Sequence, residues 1–198
     1  SYTNPDFPFI NTHWLFEALA YFFAQTGTLQ IFLILKIVIF LLSILLILKV
    51  IPKENQALAL PIGFIFFHVL RERLSLRPEI FSFLFTALTL YILEKSKKKY
   101  LFFLPIIQII WVNTHIYFFV GLLLQTIFLV AERTKLLTVV LGLSIAISLI
   151  NPNGLEGLLY PLNVTKNYGY TIVENQTLFL LESINFRDPN FLFVKLSW

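Results

Sequence analysis

Apolar residues come in long blocks along this chain rather than in alternation with polar ones. The longest block, Thr28–Ile51 (TLQIFLILKIVIFLLSILLILKVI), has one interruption in mid-run, at Lys36. A bilayer core about 30 Å thick needs roughly 20 apolar residues in a helix, and this block meets that requirement outright. Five shorter blocks follow: Ala57–Leu70, Glu79–Leu93, Tyr100–Val112, Ile116–Ala131 and Leu136–Ile150. Each would span roughly 20–24 Å as helix. With flanking residues and local thinning of the bilayer they too read as membrane spans. The pattern therefore predicts an all-α fold, a polytopic transmembrane helix bundle of about six spans. Trp14–Thr26 (WLFEALAYFFAQT) differs, because it contains Glu17 and Gln25 and stops at Gly27. It predicts an interfacial helix lying along the membrane surface, its polar side toward Arg71–Arg77. The division that follows is an outer loop over residues 1–27, a bundle over 28–151, and a second outer loop over 152–198. The final FLFVKLSW reads as the start of a further, truncated span.

Composition strengthens the membrane reading. Hydrophobic residues make up 58% of the 198, charged residues 13%, and mean hydropathy is +0.80. A soluble domain carries about a quarter charged residues. The net charge of +4 is small and the basic residues are scattered or at segment ends, so no nucleic-acid partner is expected. Cysteine is absent, which excludes disulfides and thiolate metal sites. The chain starts at Ser1 and contains no Met, so it reads as an internal fragment. No signal peptide can be judged from such a start.

Charge sets the orientation. Lys49 and Lys53, the run EKSKKK at residues 94–99, and ERTK at 132–135 fall on one face when crossings are counted. Cytoplasmic loops collect Lys and Arg, so that face is cytoplasmic. The other connections lie outside: residues 1–27, 71–78, 113–115, and everything from Asn151 onward. This outer face collects Asp6, His13, Glu17, His68, Asn113, His115 and Asn151, including all three histidines. It also receives Arg71, Arg73 and Arg77, in a short loop where the positive-inside bias should exclude them. Either these arginines snorkel to headgroups, or two spans are miscounted, or the arginines form an anion site facing outside. Ionisable groups at membrane depth are costly and usually mark a site.

Individual motifs add detail. Arg77 precedes Pro78, which fits the first turn of a helix because its missing N–H is not needed there. A guanidinium at that position can clamp phosphate through two parallel hydrogen bonds. WVNTHIYFFVGL (111–122) joins two blocks by about three polar residues, placing Asn113 and His115 at the outer rim with Trp111 and Tyr117 as interfacial aromatics. Asn113 and His115 either satisfy helix-end carbonyls or hydrogen-bond a sugar or phosphate. His13 and Glu17, four residues apart, could pair directly. With His115 they could bind a divalent metal, although no compact ligand spacing supports one and no cofactor is expected. Asn151–Gly154 (NPNG) is a turn signal. The tripeptides at Asn163 and Asn175 match glycosylation sequons that need a eukaryotic host. No phosphate loop, GxSxG motif or nucleotide fold is present.

The segments SYTNPDFPFINTHWLFEALAYFFAQTG, LRPEIFSFLF, WVNTHIYFFVGL and NPNG together resemble bacterial membrane proteins of the GT-C glycosyltransferase superfamily. These are similar to protein mannosyltransferases and lipid A aminoarabinose transferases. The resemblance covers most of the chain and rests on short motifs. It implies an enzyme of the cytoplasmic membrane that uses a polyprenyl-phosphate-linked sugar donor, with its functional face outside. The superfamily's acidic residue in the first outer loop would lie upstream of Ser1; within this sequence Asp6, whose position does not clearly match it, and Glu17 are the candidate catalytic carboxylates. The phosphate would be held by Arg71, Arg73 and Arg77, and His13, Asn113 and His115 would contact substrate. Three other readings compete. One is an O-antigen-type polymerase or ligase. Another is a transporter or flippase for an anionic or sugar-linked lipid, which internal repeats would favour and none is visible. The third is a non-enzymatic membrane scaffold, which leaves the outer-face polar cluster unexplained.

Overall fold

The computed structural model describes residues 10–70, 77–163 and 195, and every regular element among them is helical. The helices are α1 (Trp14–Gln25), α2 (Leu29–Val50), α3 (Gln56–Leu70), α4 (Glu79–Lys95), α5 (Phe103–Thr114), α6 (Phe118–Glu132), α7 (Lys135–Ser148) and α8 (Gly154–Asn163). Short 3₁₀ turns, Lys53–Asn55 and Lys98–Phe102, lead into α3 and α5. Each apolar block has become one helix, with ends shifted by only a few residues. Local chemistry explains the ends. Gly27, at φ +68°, takes the left-handed conformation that lets the chain leave α1 and turn into α2. Arg133 closes α6 in the same conformation at φ 52°, and the Thr134 hydroxyl then caps α7 by accepting the Leu137 N–H at 3.3 Å. The NPNG turn is as predicted, with the Asn151 amide donating to the carbonyls of Ser148 and Gly154.

The chain divides into two compact units, Ser1–Val50 with Pro78–Val164, and Ile51–Arg77 with Thr165–Trp198. In the second, the described residues are 51–70, which hold the first 3₁₀ turn and α3, together with Arg77 and Lys195. In the first, α2 packs on α4, α4 on α5 and α6, α5 on α6 and α7, α6 on α7, and α1 on α2 and α5. Two apolar clusters mark its two ends. One gathers Ile92 and Leu93 late in α4, Leu101 and Leu104 around the start of α5, and Leu137 and Val140 early in α7, with Leu129 late in α6. The other gathers Phe85 early in α4, Trp111 and Val112 late in α5, and Phe118 at the start of α6. Helices α4 and α6 therefore run one way and α5 and α7 the other. Phe32, early in α2, stacks on Phe23 of α1 at 4.9 Å and meets Phe16 at 5.9 Å, and Phe16 meets Phe81 of α4 at 6.1 Å. Hence α2 runs parallel to α4, and α1 lies across the end where both begin.

Polar side chains stitch the interior of this unit. Gln108 of α5 donates to the Phe118 carbonyl and to Ser148 of α7, and Ser144 of α7 donates to Gln125 of α6 at 2.8 Å. All four side chains are buried, and these bonds satisfy groups that would otherwise be costly in an apolar interior. Gly121 lets α6 approach α5 closely, since a Cβ there would lie 2.8 Å from Gln108 Oε1 and 2.9 Å from the Trp111 ring. Among the described residues one helix, Gln30–Val50, is long and apolar enough to cross a membrane by length and composition. Helices α6 and α7 are apolar but shorter, roughly 22 and 21 Å. Helix length by itself supports one span, where the sequence predicts about six.

Candidate functional site

Several of the polar groups picked out in the sequence meet at one end of the first unit, where α1 packs against the start of α4 and the end of α5. His115 is the residue on which this end turns. It sits between α5 and α6 in extended backbone, φ −158° and ψ 144°. Its N–H still closes the last turn of α5 on the Trp111 carbonyl, and its carbonyl accepts the Phe118 N–H that opens α6. The extended residue swings its imidazole inward, leaving it only 4% exposed. There Nδ1 lies 2.8 Å from the Ser82 hydroxyl of α4, which also receives the Trp111 indole N–H at 2.8 Å.

His13 caps the other side of the cluster. It precedes α1, and its ring lies 5.2 Å from that of His115, centroid to centroid. Its Nδ1 is 3.2 Å from the Thr12 hydroxyl, and its backbone N–H donates to Asn11 Oδ1. The Asn11 amide in turn donates to Glu17 Oε2 at 2.7 Å. The direct His13–Glu17 pair open in the sequence does not form: Glu17 is held by Asn11 and faces outward. Burial lowers the proton affinity of His13, against the negative charges of Glu17 and Glu79, which raise it. Burial pushes His115 down to about 3, and His13 beside it adds to that lowering. Both rings are then neutral near neutral pH.

Asn113 spends its amide on the protein. Nδ2 donates to the carbonyls of Ile109 and Ile150, at 2.7 and 2.9 Å, and Oδ1 accepts the Trp14 indole N–H at 2.7 Å. It thus ties α1 and the end of α7 to the last turn of α5, satisfying carbonyls that helix termini leave open. Asn153 reinforces the tie by donating to the Asn11 carbonyl at 3.3 Å.

Two aromatic assignments part company here. Tyr117 is exposed, as expected of an outer-rim residue, and packs edge-on against His115 at 4.5 Å. Trp111 is not interfacial: it is fully buried against Phe85, over Gly121. The structure brings His13, Asn113, His115 and Glu17 to one end. Asp6, Arg71, Arg73 and Asn175 lie outside the described residues, so α1 cannot be placed against those arginines, and Arg77 belongs to the second unit. Sequence reading missed Asn11, Trp14, Glu79 and Ser82. Only Glu79 carried a signal, as a carboxylate opening an apolar block. Among the described residues no group of three or more His, Asp or Glu side chains is arranged to hold a metal. The cluster can offer neutral imidazole donors and acceptors beside carboxylates. No family model, curated protein or solved structure matches the chain.

Proposed function

We propose that this chain is part of a polytopic membrane glycosyltransferase of the GT-C type. It would cross the cytoplasmic membrane about six times and take its sugar from a polyprenyl-phosphate donor on the outer face. The observation that carries the reading is the gathering of His13, Glu17 and His115 at one end of a bundle whose opposite end holds Lys95, Lys97, Lys98, Lys99, Arg133 and Lys135. That polarity suits a cytoplasmic lysine-rich end and an outer end built for chemistry. Asn113 then serves as scaffold, and His13, His115 and Glu17 are the groups able to meet a ligand.

Transfer from a lipid-phosphate sugar needs a base near the acceptor hydroxyl. It also needs fixed positive charge where the phosphate departs with growing negative charge. In this reading an outer-loop carboxylate supplies the first and Arg71, Arg73 and Arg77 supply the second. Arg77 is the strongest choice, because Pro78, immediately before α4, fixes the backbone beside it at φ −58°. The test is binding of polyprenyl phosphate by the chain in lipid nanodiscs. A charged hydrogen bond contributes roughly 1.5–3 kcal/mol, so Arg77→Ala should weaken binding by about ten- to a hundred-fold. Arg77→Lys should recover part of that, because a point charge lacks the two-pronged fork. Unchanged binding in Arg71→Ala, Arg73→Ala and Arg77→Ala alike would make the arginines headgroup anchors and sink the proposal.

A further inference from the structure

Trp111, Ser82 and His115 form a buried line of side chains, and the hydrogens along it can be counted. An indole N–H only donates, so Ser82 Oγ is an acceptor towards Trp111 at 2.8 Å. The serine then has one hydrogen left to place. Other buried hydroxyls of this unit, Ser43, Thr114 and Ser148, give theirs to the carbonyl one turn earlier in their own helix. Ser82 does not: among the described residues its remaining contact is His115 Nδ1, at 2.8 Å. If Nδ1 carried the ring proton, two hydrogens would compete for one line and the serine hydrogen would be buried without an acceptor. With Nδ1 bare, the indole N–H and the serine hydroxyl each have an acceptor, and the ring proton falls to Nε2.

We propose that Trp111 and Ser82 act as positioning residues that fix His115 as the neutral tautomer protonated on Nε2. His115 would thereby offer the outer-end site an N–H donor of constant charge for a ligand oxygen, and would not serve as its acid or base. The donor role rests on the glycosyltransferase reading of this end; the tautomer does not. The surroundings of the ring agree with it. From α1 it faces His13 at 5.2 Å, and from the approach to α6 it faces Tyr117 at 4.5 Å. The nearby carboxylates, Glu17 of α1 and Glu79 of α4, bear on His13. A proton added to the imidazole pair therefore settles on His13, and its charge further opposes protonation of His115. Phosphate and sugar oxygens both accept such a donor, so the chemistry names an oxygen-rich ligand.

Nitrogen NMR of the imidazole rings reads the tautomer directly, in the full chain in nanodiscs and without ligand. The chain has three histidines, so His13→Gln and His68→Gln spectra assign the His115 signals. The expected spectrum shows Nε2 protonated and Nδ1 bare, unchanged from about pH 8 to about pH 5, where an ordinary histidine titrates. Ser82→Thr, which keeps the hydroxyl, should preserve it, and Ser82→Ala should mix the tautomers. A proton on Nδ1, or titration near the usual histidine value, in the unmutated chain overturns the proposal even if Ser82→Ala fails to fold. The donor role is read with His115→Asn, which keeps an acceptor for Ser82 but has no group at the Nε2 position. It should weaken ligand binding by about ten-fold. Loss for polyprenyl phosphate itself assigns the donor to a phosphate oxygen; loss only for the sugar-bearing lipid assigns it to the sugar. No loss for either ligand overturns the donor role. If the unmutated chain binds neither, the glycosyltransferase reading and the donor role fall together, while the tautomer is still decided by the spectrum.

Discussion

His115 is buried and neutral, and a neutral buried histidine destabilises its fold at acid pH. The unfolded chain takes up a proton near pH 6.5, whereas the folded ring holds out to about 3. Between those values the unfolded state binds more protons, so stability falls as pH falls, by about 1.4 kcal/mol per pH unit. Above 6.5 neither state binds the proton and the contribution is constant. At pH 5 the folded state should therefore be about 2 kcal/mol less stable than at pH 8 from this group alone. Thermal unfolding in detergent across that range measures it. His115→Asn should remove most of the slope while keeping the bond to Ser82, and a flat profile in the unmutated chain would contradict the burial. At this scale the sequence was half legible. Polar residues in so apolar a chain drew attention to His13, Asn113 and His115, but a three-residue connection suggested an outer rim. Only the extended backbone at His115 turns the ring inward. Ser82 was invisible, because one serine within an apolar helix carries no pattern.

Helix α1 is held across the end of the first unit by three devices of different strength. The Trp14–Asn113 hydrogen bond joins residues 99 apart in sequence, and Asn153 adds a longer one to Asn11. Phe16, buried at the level of Phe32 and Phe81, provides the apolar contact. A net hydrogen bond contributes about 0.5–1.5 kcal/mol. Truncating a buried Phe costs about 3–5 kcal/mol. Phe16→Ala should thus release α1 far more than Trp14→Phe does. Hydrogen exchange of the α1 amides is the measurement. Trp14→Phe should speed it by roughly three- to ten-fold and Phe16→Ala by at least about a hundred-fold, with α5 to α7 little changed. Equal effects from the two variants, or exchange spreading through the bundle, would show that α1 is not a separately held element. Element boundaries were the most legible feature of the sequence, since long apolar blocks can satisfy their backbones only as helices. Docking of α1 was not, because Trp14 and Asn113 look like independent aromatic and turn residues until the chain brings them together.

At the scale of the whole molecule, the two ends of the bundle should lie on opposite sides of a membrane. Helix directions in the first unit are fixed by packing: α2, α4 and α6 run from the histidine end to the lysine-rich end, and α5 and α7 return. Short connections then put Lys95, Lys97, Lys98, Lys99, Arg133 and Lys135 together, with Lys49 closing α2 at that same end. Such clustering is what orients membrane proteins, with the basic end cytoplasmic. Against this stand the lengths, since α4 at 17 residues and α7 at 14 are roughly 26 and 21 Å, short of a core about 30 Å thick. Mismatch of this size costs fractions of a kcal/mol per Å and is met by thinning the bilayer, so the charge pattern should win. The chain contains no cysteine, so single substitutions can report position without a background. Lys98→Cys and Lys135→Cys at one end, and Tyr117→Cys and Pro152→Cys at the other, are all exposed positions. In intact cells a membrane-impermeant maleimide should label residues 117 and 152 and reach 98 and 135 only after permeabilisation. Labelling of both ends from one side would leave α2 as the sole helix of spanning length among the described residues and would turn the remaining bundle into a peripheral one.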